Sequence, residues 1–418
     1  MRTQSTRTPE LLAPAGGLAQ LEAALRFGAD AVYLAADRFG LRQRAANFAL
    51  DDVPAAAALV HDAGAKAYVT LNALMDADDL KALPAYLEAL AAAGVDAFIV
   101  SDLGALRLAQ RYASNVELHV STQASVCNAE AARVWHELGA SRVVCAREMS
   151  VEDIARLRAG APRELELEAF VHGAMCMAVS GRCLISAALT GRSGNKGHCT
   201  QPCRWSYALV EEQRPGEFFP VEEDVRGTYV MNAQDLNMLA HLDDLAAAGI
   251  DSFKIEGRNK KAFYVASVVR AYRLALDGVP SSELADELLA VSHRPYGTGF
   301  YYGDARQSPD VDGYTAECRH AATVEACEPA GEGAFRVIAR CYNRFCEGDE
   351  LEALSPGPHV SLVCVRNLAW LPAPDGDDAQ PKRVPVAVAN RSAERYAFET
   401  GEELAPGDFL RMRINVER

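Results

Sequence analysis

Four cysteines stand in the pattern Cys176-x6-Cys183-x15-Cys199-x3-Cys203, within the segment FVHGAMCMAVSGRCLISAALTGRSGNKGHCTQPCRW at residues 170–205. Three chemistries are open to thiols so arranged. Structural zinc uses thiolate pairs roughly two to four residues apart. Cys199 and Cys203 match that spacing, whereas Cys176 and Cys183 are too far apart for a standard knuckle. An iron–sulfur cluster also takes four thiolates and tolerates varied loop lengths. Buried free thiols are the third alternative. The segment carries Arg182, Arg192, Lys196 and Arg204 and no acidic residue, in a chain whose formal net charge is -15. Thiolates around a cluster hold net negative charge, which these cations would offset while tuning its potential. The remaining cysteines, at 127, 145, 318, 327, 341, 346 and 364, show no metal pattern and read as ordinary buried or half-buried thiols.

Elements with a strong period must position this segment. Short apolar runs predict strands at Leu11–Pro14, Ala31–Ala35, Lys66–Leu71, Ala97–Ser101, Glu117–Ser121, Arg142–Ala146, Leu165–Val171 and Ser252–Glu256. Amphipathic helix patterns such as LAQLEAALRFG, LKALPAYLEALAAAG, AEAARVWHELG and DLNMLAHLDDLAAAG lie between them, several ending in Gly. FGADAVYL, AGVDAFIV, LGASRVVC and AGIDSFKI repeat one order: helix end, Gly, short turn, buried strand. Eight such units predict an α/β fold, a (β/α)8 TIM-like barrel, with a doubly wound open sheet as the alternative. About 60 residues separate the seventh strand from a helix expected to start near Asp235, and an excursion of that length is usually functional. The expected organisation is a catalytic barrel over residues 1–309 with a Cys-rich insertion at 174–230. A small β-barrel or β-sandwich follows over 310–418, where Val, Thr and Gly-Asp turns replace the long Ala/Leu helices.

In such a barrel the active site forms where strands end and βα loops begin. The predicted strand ends bring Arg42 and Arg44, Asn72, Gln123, Arg147 with Glu148, His172, and the trio Lys254, Glu256 and Arg258 to one mouth. Each alone has a plain reading as a loop cap or surface charge. Together they predict a cationic, polar cavity, since arginine forks suit carboxylates and phosphates. His172 is the expected proton shuttle, with a structural histidine as the alternative. Lys254, Glu256 and Asn72 complete the expected catalytic set. Arg42, Arg44, Gln123, Arg147, Glu148, Arg182 and Arg258 are expected to bind substrate.

Bulk properties narrow the class. The chain has 418 residues, 50% of them hydrophobic, and acidic residues outnumber basic ones, 57 to 42. No apolar run approaches the roughly 20 residues that cross a bilayer, and the first residues lack a signal-peptide core. The expected compartment is the cytoplasm, where eleven cysteines argue against a disulfide framework. The acidic balance disfavours broad nonspecific nucleic-acid binding, although a local cationic patch can override it. His136-Glu137 begins like a zinc-protease helix, but Ala140 stands where the second histidine would be.

The stretches ELEAFVHGAMCMAVSGRCLIS, GNKGHCTQPCRW, GTYVMNAQDL and FKIEGRNKKAFYV, with the opening ELLAPAGGLAQLEAALRFGADAVYL, resemble the peptidase U32 family, also called collagenase-like. Within that family the chain is most similar to the branch that hydroxylates tRNA. The resemblance implies conversion of a wobble uridine to 5-hydroxyuridine without molecular oxygen. It implies a 4Fe-4S cluster on Cys176, Cys183, Cys199 and Cys203, prephenate as hydroxyl donor, and the tRNA anticodon loop as partner. Trp205 and Tyr207 would then help stack a base. A small anionic co-substrate, no membrane, and a paralogous partner or homo-oligomer complete the expectation. Some quinone-pathway relatives carry a cluster ligand near DLNML; this chain has Asn237 there and no cysteine. The alternatives are a U32-type peptidase, an iron–sulfur hydroxylase of rRNA or a quinone precursor, and a zinc-organised RNA-binding scaffold. Anaerobic iron and sulfide analysis separates them. The wild type is expected to carry both, and Cys199→Ala to lose most of them; stoichiometric zinc without iron would select the scaffold.

Overall fold

The computed structural model describes residues 8–41, 46–175, 185–202, 205, 208–209, 219–220, 234–303, 305, 314–331, 333–372 and 382–414. The short apolar runs form β1 (Glu10–Pro14), β2 (Ala31–Leu34), β3 (Lys66–Leu71), β4 (Ala97–Val100), β5 (Glu117–Val120), β6 (Arg142–Val144), β7 (Glu166–Ala174) and β8 (Ser252–Ile255). Each pairs in parallel with the next. Ser252 stands in register with both Glu168 of β7 and Glu10 of β1, which closes the ring. The fold is therefore a TIM-like barrel rather than an open sheet.

Between the strands run α1 (Leu18–Arg26), α2 (Val53–Asp62), α3 (Ala77–Ala92), α4 (Leu103–Tyr112), α5 (Ala129–Glu137) and α6 (Val151–Gly160). Short polar side chains start them by accepting orphan backbone N–H groups. Asp76 accepts from the Asp78 and Asp79 amides, and Asp79 returns the bond, giving a reciprocal cap; Ser150 and Asp153 do the same for α6. The repeated glycines of the sequence lie just beyond helix ends with left-handed φ, as at Gly94 (+81°) and Gly249 (+95°).

Two expectations are corrected. β7 runs to Ala174, three residues past its predicted end, because the strand Asp235–Asn237 pairs antiparallel with its extension, Asn237 opposite His172. That strand stands where a helix was expected. Asp235 is buried and bound by Arg294 at 2.8 Å, and the Asn237 side chain accepts the Leu239 amide at 3.0 Å. The α-helix proper therefore starts later, at Leu242–Ala247.

The barrel lumen departs from the usual filling of branched aliphatic layers. Leu12, Ala31, Tyr33, Tyr68, Ala97 and Ile99 form an apolar cluster there. Against them lie Glu10, Arg142, Glu168 and Lys254, all largely or fully buried.

The chain divides into two compact units. One holds the chain up to Leu25, then Ala29–Val265 and His293–Tyr314; the other holds Arg26–Gly28, Ala266–Ser292 and the chain from Thr315. The division thus does not follow a single cut at 309/310. Within the second unit, buried Arg411 donates two bonds to Glu287 at 2.8 and 2.9 Å and one to Glu352 at 2.7 Å, tying helix Ser281–Leu289 to the sheet. That sheet is antiparallel and eight-stranded, with Cys318–Gly331, Ala334–Cys341 and Arg395–Thr400 at its centre.

Glycines in β7 and just beyond β1 let the turn after β8 seat closely. Gly173 has φ +105°, and a Cβ there would meet the Glu256 carbonyl oxygen at 2.7 Å. A Cβ on Gly16 would meet the Arg258 carbonyl oxygen at 1.9 Å. Gly173→Ala is expected to cost roughly 2 kcal/mol or more from the left-handed conformation and the forced shift together; the urea midpoint of the purified variant measures it.

Candidate active site at the barrel mouth

The strand ends surround a cavity of about 500 Å³, open mouth included. It is lined by Tyr33, Leu41, Thr70, Asn72, Ile99, Ser121, Thr122, Gln123, Val144, Arg147, Phe170, Lys254, Glu256 and Arg258. Six residues expected from the strand ends thus meet here: Asn72, Gln123, Arg147, Lys254, Glu256 and Arg258. Arg42, Arg44, Arg182, Cys176, Cys183 and Cys203 lie outside the described residues.

Arg147 stacks on the Phe170 ring, its guanidinium carbon 3.8 Å from the centroid. Its Nη1 donates to the Ala174 carbonyl at 2.9 Å, and its buried Nε has no partner among the described residues. Stacking and one backbone bond fix the plane of the fork while leaving donors for a ligand. Arg258 is buried, and its Nη1 donates to Thr70 Oγ1 at 3.1 Å. Lys254 Nζ lies 4.4 Å from the Tyr33 centroid and 2.6 Å from Glu168 Oε1. Burial pulls its ammonium below the usual lysine range, with Arg142 and Arg147 adding repulsion and Glu168 opposing them. Burial pushes the Glu168 carboxyl up, but Lys254 and Arg142 more than offset this and hold it ionised.

Asn72 lines the cavity with both ends of its amide already bonded. Its Oδ1 accepts the Leu41 amide at 3.2 Å and its Nδ2 donates to Ser121 Oγ at 3.2 Å, so it ties the loop after β2 to the end of β5. Gln123 lies in the short helical turn Thr122–Ala124 that Ser121 caps. Glu148 does not line the cavity.

His172 does not line it either. Its side chain is buried against Tyr296 and Tyr264, ring centroids 5.4 and 6.0 Å away. Burial lowers its pKa to about 3, with Lys260 and His293 adding repulsion. The ordinary imidazole value assumed for a proton shuttle does not hold here; His172 is a neutral ring packed among aromatics.

Sequence reading missed Tyr33, Phe170, Glu168 and Arg142. The signal was available: in ELELEAF the acids recur with period two on a buried strand, so Glu166 and Glu168 share the face of Phe170.

The Cys-rich segment is tethered near this mouth. Lys196 Nζ lies 2.5 Å from Asp76 Oδ2, in the loop that follows β3, and holds that carboxyl down to about 2. Cys199 is half-buried, and its sulfur accepts the Gln201 amide at 3.3 Å.

The buried imidazole gives a pH prediction. In the unfolded chain His172 takes up a proton near pH 6.5, whereas the fold keeps it neutral down to about 3. Its contribution is therefore complete above about pH 6.5 and lost as the pH falls. Between pH 7 and 5 that share is about 2 kcal/mol. Denaturant unfolding at both pH values should show His172→Gln losing less stability on acidification than wild type, by about this amount.

Comparison with known proteins places the chain. Tested against family profiles, residues 16–310 match Peptidase family U32. The tRNA hydroxylation protein P1 of Bacillus subtilis is 34% identical over 415 residues, spanning 97% of this chain and 95% of that relative. A 23S rRNA 5-hydroxycytidine synthase of Escherichia coli is 38% identical over 277 residues, 66% of this chain and 40% of that relative. A collagenase of Porphyromonas gingivalis is 33% identical over 312 residues, 70% of this chain and 73% of that relative. A profile match that takes in most of the barrel, with relatives of this identity over so much of the chain, means that the protein belongs to the peptidase U32 family.

Proposed function

We propose that this chain hydroxylates tRNA, converting the wobble uridine to 5-hydroxyuridine without molecular oxygen, with a 4Fe-4S cluster and with prephenate as hydroxyl donor. The observation that carries the reading is likeness to a tRNA hydroxylation protein over 97% of this chain and 95% of that relative. The rRNA and collagenase relatives share a smaller part of the chain.

The cavity's chemistry supports the same reading. Prephenate has two carboxylates, and the Arg147 and Arg258 forks would take one each. Lys254 adds a third positive charge beside them, and Glu256, the carboxylate of the same wall, would hold or move a proton at the bound substrate. An anticodon loop presents unstacked bases that can enter a narrow mouth of this kind. Asn72 and Ser121 hold the rim in place while a base enters.

The cluster would sit on Cys176, Cys183, Cys199 and Cys203. Cys199 suits the role: its sulfur already accepts a backbone N–H, the bond that tunes a ligating thiolate, and it sits in a segment without carboxylates. When bound, the cluster supplies redox capacity that no side chain in the cavity has.

A peptidase needs an activated nucleophile. Cys145 and Cys127 are the reverse: burial pushes Cys145 up to about 12, and burial with Glu148 raises Cys127.

Nucleoside mass spectrometry of tRNA from a strain lacking this gene and any paralogue tests the proposal. 5-Hydroxyuridine is expected to vanish, to return with the wild-type gene, and to stay at least about tenfold lower with Arg147→Ala, since a lost charged bond is worth about 1.5–3 kcal/mol. Normal 5-hydroxyuridine in the deletion strain would refute it. Gelatin cleavage by the purified protein, abolished by one Cys→Ala change that leaves iron in place, would replace it with proteolysis.

A further inference from the structure

The barrel lumen holds a chain of charges that the cavity alone does not explain. Arg142, 3% exposed, donates from Nη1 to Glu10 Oε1 at 2.6 Å and to Glu168 Oε2 at 3.1 Å, and from Nη2 to Glu166 Oε2 at 2.7 Å. Glu168, 0% exposed, accepts Lys254 Nζ at 2.6 Å on its other oxygen. Tyr68 and Ser252 hydroxyls donate to Glu10 at 2.8 and 2.9 Å. Of these charged groups only Lys254 lines the cavity.

Such an arrangement is a poor way to stabilise a barrel. Desolvating ions costs several kcal/mol each, and well-packed apolar residues of similar volume usually serve as well or better. Barrel interiors are ordinarily filled by Val, Ile and Leu. The charges also do not cancel by accident, because each carboxylate oxygen of Glu168 has its own cation. We propose that Glu168, braced by Arg142, is a positioning residue that keeps the Lys254 side chain charged and aimed into the cavity. The proposal rests on the hydroxylase reading only for what the charge is used for; the positioning itself is independent of it.

The groups facing Lys254 set the direction of the test. Glu168 from β7 favours the ammonium. Arg142 and Arg147, from β6 and just beyond it, oppose it. Tyr33 from β2 offers its ring face, and Glu256 and Arg258 from the loop of its own strand share the cavity with it. Glu10 from β1 is bonded to Arg142. Removing the Glu168 charge leaves burial and two nearby guanidiniums, so Lys254 should become a neutral amine near neutral pH.

Competitive acetylation of the full-length protein across pH, read as labelled Lys254 peptide by mass spectrometry, measures this directly. Wild-type Lys254 is expected to react slowly near neutral pH. Glu168→Gln should react at least about tenfold faster there, with its profile moved to lower pH, and Glu168→Asp should fall between. An unchanged profile in a folded Glu168→Gln protein overturns the proposal. Should that variant not fold, the double change Glu168→Leu with Lys254→Met removes both charges and is expected to fold. It should then fail to restore 5-hydroxyuridine to the deletion strain, and restoration at wild-type level would overturn the proposal. If the wild-type gene itself restores none, the hydroxylase reading has failed, while acetylation of Glu168→Asp beside wild type still decides the role of Glu168.

Discussion

The hydrogen bonding of Ser252–Ile255 on both of its edges is the constraint from which the rest of the structure follows. One edge joins β1 and the other joins β7, so a sheet that could have stayed open becomes a ring. Closure sets Lys254 between Glu168 and the Tyr33 ring, and it turns the next residues, Glu256 and Arg258, into the wall of the cavity. It also encloses Arg142 and Glu168 away from water, where an ion pair is worth having only if every partner is present. The same pairing thus makes the fold and supplies the electrostatics of its mouth.

Much of this was legible in the sequence because period and burial leave strong marks. The strands of an all-parallel ring are covered on both faces, so they appear as short apolar runs, and glycine marks the ends of the helices that precede several of them. Polar residues at the predicted strand ends then named six of the cavity's walls. Other features were hidden for physical reasons. DLNML looked helical by composition, but the buried Asp235–Arg294 pair and the edge offered by the β7 extension make its first residues a strand. His172 looked poised for proton transfer, yet a ring pressed among tyrosines loses the basicity that its type suggests. Glu168 and Arg142 were missed because an alternating acidic strand looks like a solvated one until the ring closes over it.

The mouth combines groups of three kinds. Arg147 and Arg258 are held by a ring face, a carbonyl and a hydroxyl, so their planes are set before any ligand arrives. Asn72 and Ser121 are structural ties whose hydrogen bonds are already made. The Cys199 segment is brought close by Lys196, whose partner Asp76 is also the cap of α3. One carboxylate therefore both starts a barrel helix and pairs with a cation three residues before Cys199.

The tight seating of residues 256–258 also bears on how this barrel can diversify. Side chains at Gly16, Gly173 or Gly257 would collide with the turn or with its aromatic support, so each position is confined to glycine unless residues 256–258 shift. Substitutions on this rim are therefore sieved by size before they are sieved by chemistry.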